Sequence, residues 1–356
     1  MSNESAKNGA WDLVDHYLGP IRHLFNLPGV TEIMVNRFDR VFIEQHGAIK
    51  AVPEVVFEDE NSVRMLVNQI GNALGQPVDS ATHPVLDARL PNDTRVCGVL
   101  YPVSPGGTCV TFRVFPKVHI TAKDLVEKGS LTQAMLELLQ VAVICHCNML
   151  ISGGTGSGKT TLLNALSAFI PRAERVATAE DTRELRIDAE DHIALEAPTR
   201  RREGGIGQKV DLAFLIRTLL RKNPTRMIVG EIRDAAAATA FLHALNTGHT
   251  AWSTIHANNP VDALTRIQTL VAGQGDLPFE GVKAQVRSNL NLIVHAEKTP
   301  HQGRRIVSIT EVIDGKPLEL WRWSYRQGEH LKAAESTITN ASANMDWSCP
   351  TNGNGE

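Results

Sequence analysis

Several features that would settle this chain's class at once are missing. Its 356 residues include five cysteines, none of them in a CxxC pair. Cys145 and Cys147 frame a CHC triplet that would sit on one face of a strand. No second ligand pair follows at zinc spacing, so reduced thiols in a cytosolic protein are expected. The longest apolar run, LLQVAVICHCNMLISG, is interrupted by Gln140, His146 and Asn148. It is too short and too polar to span a bilayer and reads as a helix end running into a buried strand. The N-terminus has no basic stretch leading into an apolar one, so no secretory signal is expected. A net charge of -3 provides no global field for a polyanion, and no basic segment is interleaved with aromatics.

What is present indicates two domains of an ordinary globular protein. Residues 1–115 read as a mixed α/β domain. VTEIMVN and RVFIEQHG are strand-like on either side of a turn at Asp39, and ENSVRMLVNQIGNAL has apolar residues at helical spacing. TRVCGVLYPV and TCVTFRVF are strands again, separated by SPGG. Residues 116–130 read as a linker. From 131 to 327, helix, strand, glycine loop, helix and further strand–helix alternation indicate a mainly parallel sheet. Residues 328–356 are polar and rich in Ser, Asn and Gly, the composition of a disordered tail.

NMLISGGTGSGKTTLLNAL contains GxxxxGKT, with Gly153, Gly158, Lys159 and Thr160 at the fixed positions. It lies between an apolar strand and a leucine-rich helix, as the chemistry of a phosphate loop requires. Backbone N–H groups of Gly153, Gly154, Thr155, Gly156, Ser157, Gly158 and Thr161 and the helix N-terminus cradle phosphates. Lys159 reaches the terminal ones, and the Thr160 hydroxyl serves Mg2+. A nucleotide with Mg2+ is therefore the expected ligand, and the loop alone does not separate a kinase, a GTPase, a recombinase and a motor.

Two acidic strand ends follow. RVATAEDTRELRI ends a strand at Glu180, Asp181 and Glu184, and RMIVGEIRD ends one at Glu231. In a parallel sheet these ends face the ligand. One acid helps hold magnesium and another orients or deprotonates water, with Glu184 and Glu231 the candidates. No NKxD tetrapeptide occurs, which disfavours a GTPase. RRREGG at 200–205 is a basic loop, either solvated or substrate-facing. GHTAWSTIHANN then places His249 and His256 after the second acidic strand. His256 is the stronger candidate for sensing γ-phosphate or a neighbouring subunit, with His249 helping to set the same loop or carrying some of the same role.

GGTGSGKTT, AEDTREL, MIVGEIRD and TGHTAWSTIHAN, in that order, resemble the secretion and traffic ATPases of the type II/type IV secretion superfamily, above all conjugal-transfer ATPases of the TrbB kind. The resemblance runs from VTEIMVN to LNLIVHAEK. Trp252 departs from it, standing where smaller residues are usual. It implies an N-terminal PAS-like α/β domain, a C-terminal RecA-like ATPase domain and a homohexamer. It also implies that arginines from the N-terminal domain approach the nucleotide, which nominates Arg95 and Arg113 by position. Arg217 and Arg221 are weaker candidates for a subunit interface. The implied activity is ATP hydrolysis driving substrate transfer or pilus assembly by a bacterial conjugative secretion system. The implied partners are inner-membrane channel components and the coupling ATPase. The protein would be cytoplasmic and peripheral to the inner membrane, and direct nucleic-acid binding is not indicated. The alternative is a RecA-like, DNA-dependent recombination or helicase ATPase.

Overall fold

The computed structural model describes residues 11–114, 120–198, 210–275, 277–299 and 302–342. It divides into two compact units, Met1–His119 and Ile120–Glu356.

The first unit begins with helical residues 11–17 (α1). It continues through β1 (Val30–Arg37), β2 (Arg40–Gln45), β3 (Ala48–Ala51), α2 (Glu60–Ala73), β4 (Val85–Arg89), β5 (Arg95–Val99) and β6 (Cys109–Arg113). The six strands pair antiparallel in the order β3-β2-β1-β6-β5-β4. Asp59 caps α2, accepting from the Ser62 amide at 2.7 Å. The helix then buries Val63, Leu66, Val67 and Ile70, which join the sheet's apolar face in one core. Contact is close at Gly98, where a Cβ would lie 2.8 Å from Val67 Cγ1. Alternation along β5 and β6 sends Val96, Val110 and Phe112 into that core. Arg95, Cys97, Thr111 and Arg113 line a hollow of about 240 Å³ with Asp87.

The second unit contains α3 (Ala122–Glu127), α4 (Gln133–Ile144), β7 (Met149–Gly153), α5 (Lys159–Ser167), β8 (Arg175–Glu180), β9 (Asp191–Glu196) and α6 (Leu212–Leu219). After these come β10 (Arg226–Ile232), α7 (Ala235–Asn246), β11 (Thr250–Ile255), α8 (Pro260–Ala272), α9 (Phe279–Asn289) and β12 (Leu292–Thr299). The unit closes with β13 (Gly303–Ile313), β14 (Lys316–Ser324), β15 (Glu329–Lys332) and α10 (Thr337–Ser342). Nine strands run in the order β15-β14-β13-β12-β7-β11-β10-β8-β9. From β12 to β9 neighbours are parallel, and β13, β14 and β15 fold back antiparallel. Both faces are covered, so the central strands are apolar throughout instead of alternating. Leu150 packs with α6, α7, α8 and α9 on one face. Its neighbours Met149 and Ile151 pack with α3, α4 and α5 on the other.

At the end of this sheet where β10 and β11 begin, Arg226 is wholly buried. Its Nε and Nη2 donate to the two oxygens of Glu174 at 2.8 and 2.9 Å, and Nη2 also donates to the Val143 carbonyl at 3.0 Å. The guanidinium lies 4.7 Å from the Trp252 ring centroid, and the Trp252 indole donates to the Cys147 carbonyl at 3.0 Å. The unusual tryptophan therefore forms the lid of a buried ion pair.

Three expectations need correction. The interval expected as linker includes α3, closed by a Thr121–Asp124 capping box. Its Ala122 and Leu125 belong to the second unit's core, so from residue 120 the chain is already domain. The CHC triplet lies in the turn after α4, with His146 at φ 55. Of the expected tail, residues 329–332 pair with β14, and the buried Glu311 accepts from Ser336 Oγ at 2.8 Å and the Thr337 amide at 3.1 Å ahead of α10. Individually polar residues are held there by one buried carboxylate, which composition cannot reveal. RRREGG at 200–205 lies outside the described residues.

Candidate nucleotide site

The glycine loop leaves β7 at Gly153, which has φ 150. A Cβ there would stand 2.1 Å from the Ala296 carbonyl and 2.6 Å from Ser157 Oγ, so the turn admits only glycine. At Gly154 and Gly156 a Cβ would meet nothing within 4 Å, and these glycines form the open side of the loop. Gly158 caps α5 in the left-handed region without a side-chain hydrogen bond. No side chain of the cap therefore competes for the first-turn N–H groups of α5, the arrangement that receives an anion.

Lys159 follows and is 8% exposed. Its Nζ donates to the carbonyls of Gly153 at 3.0 Å and Gly154 at 2.9 Å. Burial lowers its pKa, while the charges of Glu231 and Glu184 oppose that shift. Thr160 and Thr161 continue the first turn, half-buried.

Glu231 lies at a register shift in the β10–β11 pairing. Its Oε2 accepts from Arg233 Nε at 2.6 Å. Its Oε1 lies 2.9 Å from His256 Nε2, yet without hydrogen-bond angles, and has no hydrogen-bond partner among the described residues. Burial, followed by the Lys159 charge, holds the His256 pKa below its ordinary value. The ring is neutral near pH 7, with one nitrogen to donate. Glu231, His256 and Lys159 thus act on one another at the strand ends.

Glu180 ends β8 and is 2% exposed. Its Oε1 accepts from the amides of Glu184 at 2.8 Å and Leu185 at 3.0 Å, while Oε2 has no partner among the described residues. Burial pushes this carboxyl up to about 7 against the help of those amides. Asn164 of α5 ties down the same turn, donating to the Glu184 carbonyl at 3.3 Å and accepting from the Arg186 amide at 2.9 Å. The acid box is therefore built around Glu180, which presents Glu184. In the sequence Glu180 is visible only as part of a strand end, and the signal for its burial is its place directly after an unbroken apolar strand.

His249 and His256 do not share a site within the chain. They stand at opposite ends of β11, whose six residues span roughly 20 Å. His249 lies 3.1 Å from Thr247 Oγ1 at the far end, so the expectation that it sets the His256 loop is corrected. Arg217 and Arg221 are exposed on and just after α6. In the N-terminal sheet, Arg95 and Arg113 are register partners on β5 and β6, and Arg95 lies 3.7 Å from Asp87. A residue that sequence reasoning missed is Arg304 of β13, whose Nε donates to the Gly156 carbonyl at 2.8 Å. Nothing local in the sequence signals it, because the contact depends on β12 and β13 lying beside β7.

A model of the type II/IV secretion system protein family matches residues 15–309. The probable conjugal transfer protein TrbB of Sinorhizobium fredii is 34% identical over 80% of this chain and 83% of its own. The conjugal transfer protein TrbB of Rhizobium radiobacter is 33% identical over 86% and 89%. The crystal structure of the Legionella pneumophila ATPase DotB aligns over 94% of this chain and 83% of its own, with a TM-score of 0.57 and 20% identity, a likeness of fold. With the match covering most of its length, the chain belongs to the type II/IV secretion system protein family.

Proposed function

We propose that the protein hydrolyses ATP as a homohexameric motor of a conjugative type IV secretion system, driving substrate transfer, pilus assembly or both. The observation that carries this reading is the Lys159 ammonium, held on two carbonyls of its own open glycine loop and within the electrostatic reach of Glu231 and Glu184. Phosphate oxygens would take the place of those carbonyls, with the loop and α5 amides completing the cradle. The residues also fit a magnesium ion: Glu231 has a buried oxygen free of hydrogen bonds among the described residues, and Thr160 offers a hydroxyl from the first turn of α5. Thr160 and Glu231 would hold the ion, which when bound neutralises charge on the phosphates.

Glu231, with Glu184 nearby, orients and deprotonates the attacking water. A neutral His256 donates a hydrogen bond to the γ-phosphate and reports its loss. Arg95 and Arg113 are assigned the developing charge on the phosphates, on the resemblance alone. Conjugation as the process served is supported by the two TrbB relatives. No described helix is long and apolar enough to cross a membrane, consistent with peripheral attachment to inner-membrane channel components and the coupling ATPase.

The test is a Lys159→Ala allele in the native host, with ATP hydrolysis, DNA transfer and pilus production measured separately. Hydrolysis and at least one process should be lost. Retention of transfer and pili with no hydrolysis would leave a nucleotide-independent scaffold instead, and hydrolysis that requires single-stranded DNA would favour a recombination or helicase enzyme.

A further inference from the structure

Ser152, immediately before the glycine loop, lies in a row of three strand residues. It pairs with Ile255 of β11 on one side and His295 of β12 on the other. His256 follows Ile255 directly, so its loop starts one strand away from Ser152. Two residues later the same loop has crossed the end of β7, because the His295 ring faces the backbone of Asn258. The crossing covers two strand spacings, roughly 10 Å.

His295 is 2% exposed, and Ser152 is wholly buried. Nδ1 lies 2.8 Å from Ser152 Oγ, and Nε2 lies 3.4 Å from Glu297 Oε1. Glu297 receives a second hydrogen bond from the Tyr325 hydroxyl. Burial is the main influence on the ring and lowers its pKa, the Lys159 charge adds to that, and Glu297 opposes it. A carboxylate only accepts, so the proton of the neutral ring belongs on Nε2, and Nδ1 accepts from the Ser152 hydroxyl. One imidazole thus joins the strand that launches the phosphate loop to the far end of the loop that begins at His256.

We propose that His295 is a positioning residue that holds the His256 loop in register with the phosphate loop, so that turnover depends on it through His256. This rests on the assignment of the site to ATP hydrolysis. Ser152 and His295 are buried and turned to one another, so the effect belongs in kcat. A displacement of about 1 Å at the sensing histidine is enough to cost on the order of tenfold to a hundredfold.

The test is a double-mutant cycle on the full chain with kcat and ATP affinity measured. His295→Leu should lower kcat by about tenfold or more with affinity kept within about twofold. His295→Gln, which restores a donor near Nε2, should recover part of the loss. Ser152→Ala leaves the ring in place and should give a smaller fall in the same direction, keeping the test open if the leucine variant fails to fold. In a His256→Ala background none of the three should lower kcat further. Equal losses in both backgrounds, or affinity falling in step with kcat, would overturn the proposal. Hydrolysis surviving Lys159→Ala would instead overturn the assignment of the site itself.

Discussion

The two ends of the large sheet carry similar charged residues in opposite conditions. At the Arg226 end the guanidinium and the Glu174 carboxylate are closed on each other, roofed by Trp252. At the phosphate-loop end Lys159 rests on carbonyls of its own loop, and Glu180 and Glu231 each keep an oxygen without a hydrogen bond among the described residues. Buried polar groups are ordinarily satisfied, because leaving one unmade costs about 1–3 kcal/mol. At the Arg226 end the opposite charges satisfy each other, leaving Nη1 of the guanidinium without a hydrogen-bond partner among the described residues, whereas at the other end two carboxylates each keep an open oxygen. The spare hydrogen-bonding capacity at the second end marks where a ligand completes the structure.

That contrast can be broken from either side. The largest expected effect is at the closed end: Glu174→Ala strands a buried guanidinium and should lower stability by about 3–5 kcal/mol in denaturant melts. The ATP affinity of the molecules that remain folded should be unchanged. A shift below about 1 kcal/mol would show that the pair contributes little and that the two ends differ less than they look.

The second effect is at the open end and depends on pH. Glu180 has its carboxyl raised from 4.5 to about 7, so between those values the folded state holds more protons than the unfolded one. Stability contributed by the protonated group is present below about pH 4.5 and is lost as pH rises to about 7. Glu180→Gln keeps the acceptor for the two amides without the charge. It should therefore melt higher than the natural protein at pH 8, by on the order of 2 kcal/mol, and alike near pH 4.5. Identical pH slopes would mean that Glu180 is ionised in the fold. A smaller effect is expected from Arg304→Ala, which should raise the KM for ATP a few-fold, about 1 kcal/mol, with little change in kcat. An unchanged KM would confine Arg304 to the hairpin.

How much of this was legible in the sequence follows from how local each feature is. The phosphate loop is contiguous, and its glycines, Lys159 and Thr160 declare their backbone and charge requirements in nine letters. Glu231 was legible because a parallel sheet directs its strand ends to the ligand. Glu180 was half legible: its strand end was visible, its burial was not. His295 and Arg304 are brought to the loop by the order β13-β12-β7, which joins residues about 140 positions apart and leaves no local pattern. The pairing of His249 with His256 was misleading for the same reason in reverse, since seven residues of extended chain separate what the sequence sets close. The buried Glu311 that orders residues 336–337 is equally non-local.

Whether the carboxylate at the end of β10, which keeps one oxygen without a hydrogen bond among the described residues, serves hydrolysis is tested most directly by ATP binding and turnover in Glu231→Gln. The substitution keeps the size of the side chain and removes the charge beside His256. ATP affinity should stay within a few-fold of the natural protein, while kcat falls by about a hundredfold or more. Full turnover in this variant would contradict the account.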